Sequence, residues 1–111
     1  MLDRFECDNY NDANGFPSGG FASGIGMSIS WQNGPLGAPD DPDRQEPNGA
    51  FVETVIAAAK QRIEYYQRAS KGRFACRENA MAITKLDEAL MWLNKRTADR
   101  TARNVEGTHA T

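Results

Sequence analysis

The stretch Ile83-Thr84-Lys85-Leu86-Asp87-Glu88-Ala89-Leu90-Met91-Trp92-Leu93 decides how the second half of this chain folds. Ile83, Leu86, Leu90 and Leu93 recur at steps of three and four, with Ala82 and Ala89 beside them. That is the period of an amphipathic helix. After residue 49 the chain holds only Gly72 and Gly107 and no proline, so nothing breaks the pattern from about Cys76 to about Arg103. Such a helix would be roughly 40 Å long. Upstream, Val52, Val55/Ile56, Ala59, Ile63 and Tyr66 repeat the same spacing. Asn48 suits an N-cap, Glu53 suits the positive first turn, and Gly72 suits a stop. The reading is a helical hairpin. Two helices alone bury little, so association through them is expected.

Working outward, residues 1–50 carry all five prolines and eight of the ten glycines, and must be strands, turns and loops. In Met27-Ser28-Ile29-Ser30-Trp31-Gln32, apolar and polar residues alternate, which predicts a half-buried strand ended by Asn33-Gly34-Pro35. A second strand is expected around Arg4–Cys7, with Phe5 and Cys7 inward. The Gly/Ser-rich segment Phe16–Ile25 allows a third, irregular one. Residues 38–47 read as an acidic, proline-punctuated, mobile loop. The fold class is therefore α+β: a small N-terminal antiparallel sheet followed by a C-terminal helical hairpin. One domain is expected over 1–111, with a β part at 1–37, the loop at 38–47, and the hairpin and tail at 48–109.

With 111 residues, 40% hydrophobic and 25% charged, the chain reads as a folded soluble protein. No run nears the ~20 apolar residues of a membrane span, so no membrane partner is expected. The acidic start lacks the features of a signal peptide, which points to an intracellular protein. Cys7 and Cys76 are isolated and read as buried thiols. No Cys/His cluster exists for zinc, and His109 is the single histidine. Residues 1–50 set Arg4 and Arg44 against eight acids, a net of −6, while residues 51–111 set eleven Lys/Arg against seven, a net of +4. This asymmetry implies attraction between the halves or an anion site on the second.

Two constellations could carry chemistry. On a helical wheel Lys85, Trp92, Arg96, Arg100 and Arg103 share one face. An indole stacks on bases and guanidinium groups pair with phosphates. The plainer reading is a solvated face with Trp92 packed on the first half. The interhelical segment Ser70-Lys71-Gly72-Arg73-Phe74-Ala75-Cys76-Arg77-Glu78-Asn79 sets Lys71, Arg73 and Arg77 beside a helix N-terminus. There Asn79 could read a base or ribose edge. The plainer reading is capping and local pairing. In Tyr65-Tyr66-Gln67 one tyrosine must face the core by periodicity, and the other is free to stack. Gly15–Gly26 matches neither a Walker loop nor the dinucleotide fingerprint. Glu53, Glu64, Glu78, Asp87 and Glu88 form no pattern beyond ordinary helix charge. Catalysis is thus the weaker hypothesis, and no metal or cofactor is expected.

Two stretches resemble a known family. Phe74-Ala75-Cys76-Arg77-Glu78-Asn79-Ala80, continuing through Ile83–Leu93, Arg96–Arg100 and Val105-Glu106-Gly107-Thr108-His109, resembles the C-terminal half of the bacteriophage Thoeris anti-defence sponges. These share a helical hairpin with the anti-CBASS sponges. Ile29–Gly37 and Asn48-Gly49-Ala50 resemble that family's N-terminal part. The resemblance implies a protein that holds a cyclic nucleotide immune messenger, a cyclic ADP-ribose isomer, without cleaving it. Some members, as hexamers, also take cyclic oligonucleotides. It further implies a homo-oligomer, dimer or hexamer, joined through the helices, with the pocket near the protomer boundary. Its place would be the cytoplasm of the infected bacterial host. Asn79 and Arg96 would be ligand contacts and Tyr65 or Tyr66 the stacking ring. Arg77, Arg100, Trp31 and Gln32 complete the candidate set.

Against this sponge stand a messenger-hydrolysing enzyme, an assembly protein indifferent to nucleotides, and a DNA-binding protein. The acidic first half and the lack of a helix-turn-helix signature count against a DNA or RNA duplex partner.

Overall fold

The computed structural model describes residues 4–102. Arg103 and the tail 104–109, with His109, lie outside the described residues, and so do the first three positions. The elements are β1 (Glu6–Asn11), β2 (Pro17–Gly24), β3 (Met27–Ser30), α1 (Val52–Gly72) and α2 (Arg77–Ala102). The strands form one antiparallel sheet in the order β1-β2-β3. The expected α+β order, sheet first and helical hairpin second, is what the chain adopts.

Ala22 faces Cys7 on one side and Ile29 on the other, and Phe21 is flanked by Asp8 and Ser30. Ala22 is the buried apolar residue of the sheet. The strand expected at Arg4–Cys7 instead runs from Glu6 to Asn11, and all six of its residues are exposed. Phe5 lies before it and is also exposed. The cause is the turn that follows. Asp12 Oδ1 accepts the N–H groups of Asn14 (2.9 Å) and Phe16 (3.0 Å), and Asp12 N–H donates to the Phe16 carbonyl at 2.9 Å. A hairpin turn sets the register of its strands. Here it draws the polar run Asp8-Asn9-Tyr10-Asn11 into pairing despite its lack of alternation.

After β3 the chain returns beside it. Gln32 N–H donates to the Ala50 carbonyl at 3.0 Å and Ala50 N–H to the Ser30 carbonyl at 2.7 Å, with Trp31 and Ala50 in parallel register. Gly49 makes this approach possible, because a Cβ there would stand 2.5 Å from the Trp31 carbonyl oxygen. Asn48 is consequently not a helix cap. Its Oδ1 accepts Asn33 N–H at 2.8 Å and its Nδ2 donates to the Asn33 carbonyl at 3.1 Å. The acidic loop folds on itself in successive turns. Asp41 N–H donates to the Ala38 carbonyl and Arg44 N–H to the Asp41 carbonyl, while an Arg44 Nη donates to the Gly37 carbonyl at 2.8 Å.

α2 carries the periodicity read from the sequence, and α1 carries it in part: Val52 and Ala59 of the expected stripe are exposed. Val55, Ile56 and Ile63 on α1, and Ile83, Leu86, Leu90 and Leu93 on α2, are half-buried. No residue of α1 is fully buried. Lys60 Nζ reaches Asp87 Oδ1 across the pair at 2.7 Å and Glu64 along its own helix at 3.8 Å. The described chain divides into two compact units. One runs to Phe51 and takes in the end of α2 from Arg100, and the other is Val52–Asp99.

Candidate functional site

The hairpin turn is built by backbone conformation and one glutamine. α1 keeps helical geometry to Arg68, then Ala69 turns extended (ψ 145°). Ser70 and Lys71 follow in the left-handed region (φ 52° and 60°), with Gly72 at φ 82°. The helix therefore stops three residues before the glycine that was expected to stop it. Gln67 holds the far side of the turn. Its Oε1 accepts Cys76 N–H at 2.9 Å and its Nε2 donates to the Cys76 carbonyl at 3.1 Å. Cys76 in turn caps α2, its Sγ accepting the N–H of Asn79 at 3.4 Å. The cap satisfies one of the orphan donors of a helix start. It also places Asn79, half-buried, in the first turn, while Arg77 at the first helical position is exposed. Neither cysteine is a buried thiol. Cys76 is exposed because it caps a helix, and Cys7 because it lies on β1.

Before the turn stands a cation–aromatic cluster. Tyr65 and Tyr66 are both exposed, at 41% and 40%, so neither is the core residue that periodicity required. Their rings lie 5.9 Å apart, tilted by 57°. The Arg62 guanidinium carbon sits 5.0 Å from the Tyr65 ring centre and 4.9 Å from that of Tyr66. Its Nε donates to the Tyr66 hydroxyl at 3.1 Å. Arg68 approaches Tyr65 at 5.8 Å, and Arg73 approaches Phe74 at 5.8 Å. Sequence reading overlooked Arg62. The signal was the i,i+3 and i,i+4 spacing that sets Arg62 against both tyrosines.

Most cations at this end make no ion pair with a described residue, although Glu78 stands beside Arg77 in the first turn of α2. Among the described residues, the carboxylates in ion pairs are taken by Lys60 and Lys85, leaving Arg62, Arg68, Lys71, Arg73 and Arg77 with none. The hydrogen bond to Asp87 raises Lys60 above its ordinary value, burial opposes, and the charges of Asp87 and Glu64 add. Arg62 and Arg68 beside the tyrosine pair, and Arg73 beside Phe74, set exposed cations against exposed rings, chemistry suited to a flat, anionic ligand.

The other predicted residues lie elsewhere. Arg96 is exposed on α2, seventeen residues beyond Asn79 on continuous helix. That is about 25 Å along the axis, farther than one nucleotide reaches, so Asn79 and Arg96 of one chain cannot hold the same nucleotide. Trp92 is 62% exposed, which removes its packed reading, and Lys95 lies 5.7 Å over its ring. In the N-terminal unit, Trp31 is half-buried and Arg100 is buried. The Gln32 amide is committed to the backbone. It accepts from Asn48 N–H (2.9 Å) and Gly49 N–H (3.3 Å) and donates to the Gly34 carbonyl (3.2 Å). Among the described residues no group of three or more His, Cys, Asp or Glu could hold a metal ion. None of their helices is long and apolar enough to cross a membrane.

Residues 28–98, from β3 through most of α2, match the family described as the Acb2/Tad1 hairpin domain. The chain belongs to the Acb2/Tad1 hairpin-domain family. Every candidate residue except Arg100 falls inside the matched Acb2/Tad1 segment. A similar protein is Thoeris anti-defense 1 of Bacillus phage SBSphiJ7, 61% identical over 62 residues. That match covers 56% of this chain and 42% of the phage protein, so the chain spans less than half of this relative's length.

Proposed function

We propose that the protein is a phage anti-defence sponge. It binds a cyclic nucleotide immune messenger, a cyclic ADP-ribose isomer, and sequesters it uncleaved in the cytoplasm of the infected host. One observation carries this reading: a turn rich in unpaired cations and exposed aromatic rings, on a hairpin of the Acb2/Tad1 family. The name of the phage relative, Thoeris anti-defense 1, supports the anti-defence role.

A cyclic ADP-ribose presents a pyrophosphate, two riboses and an adenine. Arg62, Arg68, Arg73 and Arg77 offer charge-assisted donors, Tyr65 and Tyr66 offer stacking faces, and the Asn79 amide can read a base or ribose edge. A binding protein of this kind acts by mass action and needs no acid, base, metal or cofactor.

The site is completed by a second copy. A partner chain running antiparallel would bring its own Arg96 toward Asn79 across the 25 Å (about) that separates them in one helix. The exposed Met81, Met91 and Trp92 of α2 support such an association, as do the half-buried apolar seam residues. The same architecture extends to a dimer or hexamer.

The deciding experiment is capture and release. Purified protein is mixed with glyco-cyclic ADP-ribose isomers and cyclic oligonucleotides, filtered, heat-denatured, and the freed small molecules are chromatographed. Intact messenger lost from the filtrate and returned by heat is the expected result. Return of a cleaved product would make the protein an enzyme. Messenger that stays in the filtrate throughout would leave the assembly-protein reading.

A further inference from the structure

We propose that Arg62 is the phosphate-holding residue of the tyrosine pair: it braces the two rings and presents its outer nitrogens to a phosphate of the nucleotide that stacks there. This rests on the nucleotide-binding reading above and adds a contact to it.

Three observations converge. The guanidinium stands 5.0 and 4.9 Å from the two ring centres and is tied by its Nε to the Tyr66 hydroxyl. Of its five N–H donors, that bond uses one, and the four on the two Nη atoms make no other hydrogen bond among the described residues. These four form the fork that grips a phosphate through two parallel bonds. Second, among the described residues no carboxylate pairs with Arg62. Glu64, two residues along, lies 3.8 Å from Lys60, on the other side of its own helix. Third, the side chain is already ordered by two rings and a hydrogen bond, so little rotamer freedom is lost when a ligand arrives. Arg68, 5.8 Å from Tyr65, adds a second positive charge to the same ring. A phosphate next to a stacking face is the chemistry of a nucleotide, whereas a nucleoside would leave the fork empty.

The test uses the full chain, with glyco-cyclic ADP-ribose as the probe. Calorimetric affinities of the wild type, Arg62→Ala and Arg62→Lys are compared, together with the ³¹P resonances of the bound pyrophosphate. Circular dichroism verifies that each variant keeps its helices, and Arg62→Lys preserves charge and most of the packing. Removing a charge-assisted contact should weaken binding about ten- to hundredfold. Arg62→Lys should recover only part, because an ammonium lacks the fork, and the bound ³¹P shift should move in both variants. Arg62→Ala binding within about twofold of wild type would overturn the proposal. So would weaker binding with an unchanged ³¹P shift, which would mean that Arg62 only orders the rings. Tighter binding would overturn it as well, by showing that the guanidinium obstructs them. A wild type that binds no nucleotide would fail the nucleotide reading itself, and this inference with it. Failure confined to the variants touches Arg62 alone.

Discussion

Gln67 joins two elements through both ends of a single amide. Its bonds to the N–H and carbonyl of Cys76 close the hairpin turn, and Cys76 then caps the helix that carries Asn79. Each of the two bonds contributes about 0.5–1.5 kcal/mol net, so Gln67→Ala should destabilise the protein by about 1–3 kcal/mol. Urea denaturation would register this as a lower midpoint at unchanged slope, and an unmoved midpoint would refute the clasp. Asn79 hangs on that clasp through the cap. Other residues exchange roles when seen in place. Gln32, one of the candidate contacts, spends its amide on Asn48, Gly49 and Gly34. Tyr65 and Tyr66 divide no labour between core and surface, and Arg62 lies against both. Periodicity assigns a face to each residue, but it carries no information on whether that face meets a partner.

The turn between the helices stores strain. Ser70 and Lys71 occupy a left-handed conformation that costs an L-residue about 1–2 kcal/mol. Lys71→Gly should relieve it, partly offset by the entropy glycine adds to the unfolded chain. The net expectation is a gain of about 0.5–1 kcal/mol, read as a higher midpoint of thermal unfolding. A lower midpoint would mean that Lys71 makes a compensating contact. Between the helices, the Lys60–Asp87 pair predicts a pH response. Lys60 is raised above its ordinary 10.5, so its contribution to stability is complete below that pH and is lost as the pH climbs through the raised folded value. Asp87→Asn removes the main cause. Its stability curve should therefore fall less steeply than that of the wild type on the alkaline side, and superimposable curves would contradict the assignment. The sheet teaches the converse lesson about elements. β1 forms over a polar run because the Asp12 turn aligns it with β2.

At the scale of the whole molecule, the separation of Asn79 and Arg96 governs what one chain can do. With about 25 Å of helix between them, the two residues serve one ligand only if they come from different copies. Arg96→Ala and Asn79→Ala should each weaken messenger binding by about 1.5–3 kcal/mol with the oligomer intact. Mixing the two weakened variants should restore wild-type affinity in a fraction of sites, because a mixed pair contains one site with both residues and one with neither. Titration of the mixture measures that fraction, and its absence would place each residue in a separate site. No residue of α1 is fully buried, and the mixing experiment measures directly whether two hairpins meet.

Much of this was legible in the chain itself. Proline and glycine crowd into residues 1–50, and three- and four-residue apolar steps fill residues 52–93. Both are local properties, so they determine sheet first and hairpin second, and α2 begins and ends within about a residue of its reading. The cations of segment 70–79 were legible for the same reason, since charge is a property of composition, and the structure leaves Lys71, Arg73 and Arg77 exposed there. What only the tertiary structure decided depends on atoms far apart in sequence. It drew Asn48 out of a helix cap and into a clasp with Asn33, stopped α1 at Ala69, and made a cap of Cys76. It also left both tyrosines and Trp92 exposed, and set Arg62 against both tyrosine rings. The Asn48–Asn33 and Gln67–Cys76 clasps span fifteen and nine residues, beyond any local window, whereas the Cys76 cap and the Arg62 contacts are local and needed only the choice among competing partners that the folded chain makes.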